Sequence, residues 1–229
     1  YGAWYTSFSW FRTLFPGRDL TNRAGAEYIV NDMLAPDRIL IPVFTPDPSY
    51  NGMTLEEIAG IRESDAVTTL MELLQADAAA GGTGSGSETI GFAMQEPDIE
   101  RILRWPHTVM ATDGDGSGAH PRGVASFARF LGHYVRDREV LTLEEGIHRI
   151  TLLPAEQVGI FDRGSLREGY YADLVLFDPQ SIIDNATFKD PHLLSTGIEM
   201  VWVNGEIVFA DGTTTRNRPG RPIRRMMKN

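Results

Sequence analysis

The hydrophobic pattern changes character late in the chain, and this change constrains the fold more than any other feature. Residues 1–155 alternate between helical periodicity and short apolar runs. Residues 160–212 are mostly β-like: residues 171–177 form one run, and Asn204-Gly205 separates two others. Asn-Gly between alternating apolar residues is the strongest short-range signal of a hairpin. The sequence therefore predicts a parallel α/β body followed by a small β module.

Local signals predict several individual elements. Thr54 with Glu57, and Thr142 with Glu145, have the spacing of capping boxes at helix starts. A glycine- and serine-rich stretch, residues 78–87, is either a linker or a loop near a site, and we favour the loop. We also predict a strand over residues 38–44, with Pro42 at an edge or an end of its sheet, and a helix capped by Asp65. Two further helices are predicted over residues 97–105 and 124–138, with Ile102 and Phe127 facing inward. A short helix is predicted between Pro154 and Gly159.

Composition limits the classes of partner. The net charge of −10 argues against a nucleic-acid-binding surface, and the basic tail, which includes Arg216 and Lys228, is better explained as a solvated terminus. The chain contains no cysteine, which excludes disulfides and thiolate metal ligands. No apolar run approaches the roughly 20 residues of a membrane span. We expect a cytoplasmic protein without nucleic-acid or membrane partners.

The size of the α/β part is too small for a complete barrel. A (β/α)8 barrel takes about 250 residues, whereas residues 1–155 contain only a few good strand candidates. The chain also begins without Met, directly on an aromatic-rich run that we assign to the core. We therefore expect the second part of a barrel, with further polypeptide preceding Tyr1.

Residues 110–122, MATDGDGSGAHPR, predict a reaction site. An apolar run over residues 108–112, which we assign to a strand, ends in Asp113, and a glycine-rich loop then leads to His120 and Arg122. A carboxylate at the C-terminal end of a buried strand, followed by such a loop, is typical of sites in α/β barrels. From the local pattern alone, an ordinary Asp-Gly turn remains the alternative.

Several longer segments resemble one known family. GIFDRGSLREGYYADLVLFDP, followed by TGIEMVWVNGEIVFADG, resembles the C-terminal β module of the amidohydrolase superfamily. ATDGDGSGAHPRG and LTLEEGIHRITLLPAEQVGI are similar to N-acyl-D-amino-acid deacylases, the D-aminoacylases. YGAWYT resembles the tail of that family's YPYxAxxT signature, and SYNGMTLEEIA and FAMQEPDIERILRWP also fit. The resemblance covers nearly all of the chain.

The resemblance implies a metal-dependent hydrolase that combines a distorted (β/α)8 TIM-like barrel with a β-sandwich. Residues 1–155 would be the C-terminal part of the barrel, and residues 156–229 the small β-sandwich module with its tail. Most metal ligands in such enzymes come from the first part of the barrel. The resemblance therefore implies a Zn²⁺ cofactor and, as partner, the N-terminal half of the same enzyme, on a separate chain or on a segment before Tyr1.

The resemblance also assigns roles to four residues. Asp113 matches the family's Asp after the last barrel strand, as the catalytic base and a weak candidate metal ligand, in a Thr-Asp-Gly sequence where Ser-Asp-Gly is common. Arg122 matches the residue expected to hold the substrate carboxylate, and Tyr1 the second Tyr of the signature, beside the substrate. His120 is a further candidate for contact with substrate or metal, although a His before Pro is more often structural. The other histidines lack metal-ligand spacing and are expected at helix ends or on the surface: His107, His133, His148 and His192.

The predicted function is metal-dependent hydrolysis of the amide bond of a small molecule, an N-acyl-D-amino acid. Two alternatives stay open: hydrolysis of a cyclic amide such as a hydantoin or imide, and a metal-free subunit without catalysis. The His-Pro-Arg sequence favours an open-chain substrate, because the planar fork of Arg122 suits a carboxylate.

Overall fold

A computed structural model describes residues 1–114 and 116–225. Asp115 of the glycine-rich loop and Lys228 of the basic tail lie outside the described residues. The chain divides into two compact units. Unit 1 consists of Tyr1–Glu96, Gly118–His120 and Thr187–Pro191, and unit 2 of Pro97–Ser117, Pro121–Ala186 and the residues from His192 onward. The assignment of residues 1–155 to a barrel and of 156–229 to a β-sandwich module stays a prediction.

Unit 1 contains a four-stranded sheet with the strand order β1-β4-β2-β3. Its strands are β1 (Trp4–Ser7), β2 (Ile39–Val43), β3 (Met53–Thr54) and β4 (Glu88–Gly91). The described pairs are all antiparallel, so the predicted parallel pairing is wrong for these strands. Pro42 lies near the end of β2, inside the register shift between Leu40 and Val43, where its missing N–H costs no ladder hydrogen bond.

The two longer helices of unit 1 begin where the sequence places their caps. The helices of this unit are α1 (Arg23–Glu27), which continues as a π-helical segment over Tyr28–Met33, α2 (Leu55–Ile61) and α3 (Ala66–Ala79). Thr54 and Glu57 form the predicted capping box at α2. The Asp65 carboxylate caps α3 by accepting from the Thr68 N–H. Hydrogen bonds from the Thr68 hydroxyl and from this N–H lower the Asp65 pKa to about 2.

The core of unit 1 is rich in aromatic side chains. Phe8, Phe11 and Phe44 are fully buried together with aliphatic residues of α2 and α3, which confirms that the aromatic-rich start belongs to a core. The segment over residues 80–87 joins α3 to β4 within this unit, so it is a loop and the linker alternative is wrong; its place near a site stays a prediction. Its Ser85 hydroxyl donates to the buried Asp77 carboxylate.

The helices of unit 2 lie where the sequence predicts them, but some of their ends and side-chain orientations differ. They are α4 (Glu96–Arg104), α5 (Arg122–Arg129), which continues as a π-helical segment over Phe130–Asp137, α6 (Leu143–Ile150) and α7 (Leu152–Val158). The Thr142–Glu145 capping box is confirmed, and Gly159 ends α7 with a φ of 80°. Pro154 is the third residue of α7, not the first, and the predicted inward orientation of Ile102 and Phe127 is wrong because both are exposed.

The β module of unit 2 contains an antiparallel sheet of four sequential strands. The strands are β5 (Leu174–Phe177), β6 (Ile198–Val203), β7 (Glu206–Ala210) and β8 (Thr213–Thr214). The predicted hairpin is confirmed: Asn204 and Gly205 have φ values of 50° and 85°, and a type I′ turn requires both to be positive. The described residues form a single sheet in this module. A second layer, completing a sandwich, stays a prediction.

Among the residues that the structure describes, no helix combines the length and the hydropathy needed to cross a membrane. The described arginines of the C-terminal tail are exposed, in agreement with a solvated terminus.

Candidate active site

The segment before Asp113 is not paired in a sheet. In the described part of the chain, residues 108–112 have no neighbouring strand, so the predicted strand is wrong there. Arg149 of α6 holds the segment instead: its carbonyl accepts from the Met110 N–H at 3.3 Å, and its Nη1 donates to the Thr108 carbonyl at 3.0 Å. A buried arginine therefore supplies the contacts that a sheet partner would otherwise make.

Asp113 has a left-handed backbone and an exposed side chain. Its φ is +48°, a conformation that Asp adopts more readily than most residues. The side chain is 85% exposed. The next N–H, that of Gly114, donates to the Thr112 hydroxyl at 3.3 Å, which closes a tight turn. The Asp113 carboxylate therefore projects from a sharp bend at the start of the glycine-rich loop.

Arg122 meets Asp113 at the other end of that loop. Arg122 is the first residue of α5, and its Nη2 lies 3.0 Å from Asp113 Oδ2, with side-chain exposures of 15% and 85%. The backbones of Gly114 and Gly123 also approach each other closely, since a Cβ atom added at Gly114 would lie 2.5 Å from the Gly123 Cα. We call Asp113, Gly114, Arg122 and Gly123 the neck of the loop. The neck places one carboxylate and one guanidinium in direct contact within unit 2.

His120 is buried in an aromatic cage within unit 1, where it is only 3% exposed. The rings of Tyr1, Tyr5 and Phe188 surround it edge-on, with centroid distances of 5.4, 5.9 and 5.2 Å. We call these three rings the aromatic cage. Phe188 also packs against Phe92 at 4.9 Å. Of the predicted site residues, the structure thus brings Tyr1 and His120 together in unit 1, and Asp113 and Arg122 together in unit 2.

Tyr5 and Phe188 were missed by the sequence analysis. The Tyr5 hydroxyl accepts a hydrogen bond from the Ala119 N–H at 3.2 Å, across 114 residues of sequence. Phe188 lies in a segment with no recognisable motif. The only signal for Tyr5 is the high aromatic density of the first residues, which indicates burial but not a contact with the loop.

The described residues do not by themselves form a metal site. Within residues 1–114 and 116–225, no group of three or more His, Asp or Glu side chains could hold a metal ion, and the sequence contains no Cys. Zinc sites take three or four protein ligands, so Asp113 alone does not satisfy that requirement. His107, His148 and His192 are exposed, as expected, whereas His133 is half-buried inside the π-helical segment and packs on Tyr134.

A family model described as "Amidohydrolase family" matches residues 48–209. The match covers elements of both compact units, including the neck of the loop and most of the β module.

One similar curated protein is the N-acyl-D-glutamate deacylase of Alcaligenes xylosoxydans xylosoxydans, which is 42% identical over 191 residues. The alignment covers 82% of this chain and 37% of that protein. The chain therefore spans less than half the length of this relative.

Two solved structures are similar along almost the whole chain. The first is a D-aminoacylase structure from a study of its binuclear metal center, which is similar to this chain with a TM-score of 0.73 at 34% identity. The alignment covers 95% of this chain and 40% of that one. The N-acyl-D-glutamate deacylase of Bordetella bronchiseptica, in complex with zinc and a phosphonate mimic of the tetrahedral intermediate, gives a TM-score of 0.71 at 35% identity. It covers 93% of this chain and 39% of that one.

Proposed function

The chain belongs to the amidohydrolase family, and from this premise we propose that it is part of a zinc-dependent deacylase that hydrolyses N-acyl-D-amino acids. The observation that carries the proposal is the neck of the loop. There, a carboxylate suited to proton transfer and a guanidinium suited to binding a substrate carboxylate lie 3.0 Å apart. The similarity to named deacylases of linear amides favours this substrate class over a cyclic amide.

The family and its structural neighbours imply a TIM-barrel-type fold. We propose more specifically that residues 1–155 form the second part of a distorted barrel and residues 156–229 a β-sandwich module. Since the chain spans about 40% of the D-aminoacylase chain that it matches, we propose that additional polypeptide completes the active enzyme, on the same chain or on a partner chain. That polypeptide would supply most of the zinc ligands.

Arg122 is proposed to hold the carboxylate of the substrate. Its guanidinium already pairs with a carboxylate, that of Asp113, so its reach and orientation suit this chemical group. A substrate carboxylate that binds Arg122 would replace the Asp113 carboxylate in the ion pair. Binding of the correct substrate would in this way release Asp113 for proton transfer.

Asp113 is proposed as the general base and then the general acid. It would accept a proton as a water oxygen adds to the amide carbonyl carbon, and would return that proton to the nitrogen as the C–N bond breaks. The products are a carboxylic acid and a D-amino acid. In amidohydrolase chemistry of this class, a bound metal supplies polarisation of the carbonyl and activation of the water. Among the described residues, Asp113 is our candidate to contact that metal.

Tyr1 and His120 are proposed as residues of the substrate pocket. Tyr1 is half-buried and packs edge-on against His120. Since His120 is almost fully buried, we propose that Tyr1 contacts the substrate and that His120 supports the Tyr1 ring.

The proposed function is tested by assaying the complete enzyme, with its zinc content measured in the same sample. The substrates compared are N-acetyl-D-glutamate, its L enantiomer, a derivative with the α-carboxylate converted to a carboxamide, and a hydantoin. We expect efficient hydrolysis of the D acid, slow but measurable hydrolysis of the α-carboxamide, and weak or absent hydrolysis of the other two. A zinc-loaded enzyme that prefers the hydantoin or the carboxamide would contradict the proposal.

A further inference from the structure

We propose that Tyr5 is a positioning residue: it holds the 118–120 end of the glycine-rich loop and, through the chain, sets the position of Arg122 for the substrate carboxylate. This inference rests on the proposed function for the role of Arg122. The anchoring of the loop by Tyr5 stands on contacts inside unit 1 alone.

The first observation is a hydrogen bond between a strand side chain and the loop backbone. The Tyr5 hydroxyl accepts from the Ala119 N–H at 3.2 Å. Tyr5 lies on β1, where it pairs with Ile90 of β4, so its backbone is held by the sheet. A hydrogen-bonding group carried on a strand is a firmer support for a loop than another loop residue.

The second observation is a close approach between the Tyr5 ring and Gly118. A Cβ atom added at Gly118 would lie 2.6 Å from the Tyr5 Oη, 2.9 Å from Cε1 and 3.0 Å from Cζ. The φ of Gly118 lies outside the left-handed region, so an alanine is compatible with the backbone conformation there. It is therefore the space taken by the Tyr5 ring, and not the dihedral angle, that requires glycine.

The third observation is that His120 also packs on Tyr5, at a centroid distance of 5.9 Å. Three consecutive loop residues thus contact one side chain. Earlier in the loop, Gly116 is exposed and has no atom within 4 Å of an added Cβ. The loop is therefore held where it approaches Arg122, while Gly116 lacks comparable packing.

The consequence for Arg122 follows from chain geometry. Two residues of extended chain span at most about 7 Å, so fixing His120 limits where the Cα of Arg122 can lie. Loss of the Tyr5 hydroxyl would loosen this constraint and weaken binding of the carboxylate. The Asp113 carboxylate, at the other end of the loop, would still carry out proton transfer.

The test compares variants of the complete enzyme by KM and kcat. Tyr5→Phe keeps the ring and removes only the hydroxyl, and we expect KM for N-acetyl-D-glutamate to rise about 3- to 10-fold, the size of one hydrogen bond, with kcat nearly unchanged. KM for the α-carboxamide derivative should not change, because that substrate has no α-carboxylate for Arg122 to bind. Tyr28→Phe is the matched control, since Tyr28 is half-exposed on the π-helical segment after α1.

A double-mutant cycle tests the close approach itself. We expect Gly118→Ala to raise KM in the wild-type background and to have a much smaller effect in a Tyr5→Ala background, where the obstructing ring is gone. Gly60→Ala is the control, because nothing lies within 4 Å of a Cβ added there. An equal effect of Gly118→Ala in both backgrounds would overturn the proposal. So would a Tyr5→Phe enzyme that loses kcat at unchanged KM, or that loses affinity equally for acid and carboxamide.

Hydrogen exchange separates this proposal from the proposed function. In the Tyr5→Phe variant, the amide hydrogens of the peptide covering residues 116–122 should exchange faster than in wild type. In the Tyr28→Phe variant they should exchange at the wild-type rate. Both expectations hold whatever reaction the enzyme catalyses. Faster exchange in a protein without deacylase activity would support the anchor and contradict the deacylase. Unchanged exchange would overturn the anchor even in an active deacylase.

Discussion

The two ends of the glycine-rich loop differ in almost every physical property. At the neck, Asp113 is 85% exposed, has a left-handed backbone and pairs with a cation. At the other end, His120 is 3% exposed and lies among the rings of Tyr1, Tyr5 and Phe188. The comparison agrees with the proposed roles, in which the charged groups at the neck take part in the reaction and the buried aromatic groups hold the other end of the loop.

Substitution of Asp113 should change turnover and leave stability nearly unchanged, because its side chain is 85% exposed and exposed ion pairs contribute little to folding. Substitution of His120, which lies inside the aromatic cage, should change stability, with only secondary effects on turnover.

The largest effect is expected at Asp113. Asp113→Asn removes the proposed base and should lower kcat about 10²- to 10⁴-fold. The melting temperature should stay close to wild type, because the side chain is exposed. Asp211→Asn is the matched control, since Asp211 is also exposed and also has a left-handed backbone, with a φ of 51°. Retention of more than about a tenth of the wild-type kcat would remove Asp113 from the role of base.

A smaller effect, on binding, is expected at Arg122. Arg122→Lys keeps the positive charge but loses the planar fork, and should raise KM for N-acyl-D-amino acids about 10- to 100-fold. The carboxamide derivatives should be affected much less. Arg129→Lys, on the same helix and paired with Asp184 at 3.4 Å, is the control and should leave KM unchanged. Equal losses for acids and carboxamides would show that Arg122 does not anchor the carboxylate.

At the buried end of the loop, the expected effect is on stability. His120→Ala removes the buried ring that the aromatic cage surrounds and should lower the free energy of unfolding by about 1–3 kcal/mol. Urea denaturation measures this change, and His148→Ala, at an exposed position, should show none. If His120→Ala abolished turnover at unchanged stability, the two ends of the loop would not differ in the way described.

The smallest effect is expected outside the loop, at the cap of α3. Hydrogen bonds from Thr68, and then the contact with Arg23, hold the Asp65 pKa at about 2, below its ordinary value of 3.8. A carboxyl whose pKa is lower in the folded state stabilises the fold above its unfolded pKa, and this contribution is lost as the pH falls from about 4 towards 2. The unfolding midpoint of Asp65→Asn should therefore depend less on pH in this window than that of wild type. Equal slopes for the two proteins would contradict this assignment.

Features determined by neighbouring residues were predictable from the sequence. The capping boxes at Thr54 and Thr142 and the hairpin turn at Asn204 and Gly205 depend on residues within a few positions of one another, and all were confirmed. Asp113 and Arg122 were chosen as candidates from the local pattern and the family resemblance, and their roles stay predictions.

Features that depend on distant pairing were not predictable. The strands of unit 1 pair in antiparallel fashion although helix and strand patterns alternate, because strand direction depends on partners far along the chain. Residues 108–112 have strand-like composition, yet Arg149 provides their contacts. The contact between Tyr5 and Ala119 joins residues 114 positions apart and leaves no local pattern.

The most direct test of the central claim is a crystal structure of the complete enzyme with a phosphonate analogue of an N-acyl-D-amino acid. We predict that the Arg122 guanidinium binds the carboxylate of the analogue at about 2.7–2.9 Å. Asp113 should turn from Arg122 towards the phosphonate, with an oxygen–oxygen distance of about 2.6–3.2 Å. A bound analogue that contacts neither residue, with the ion pair between Asp113 and Arg122 intact, would contradict the account.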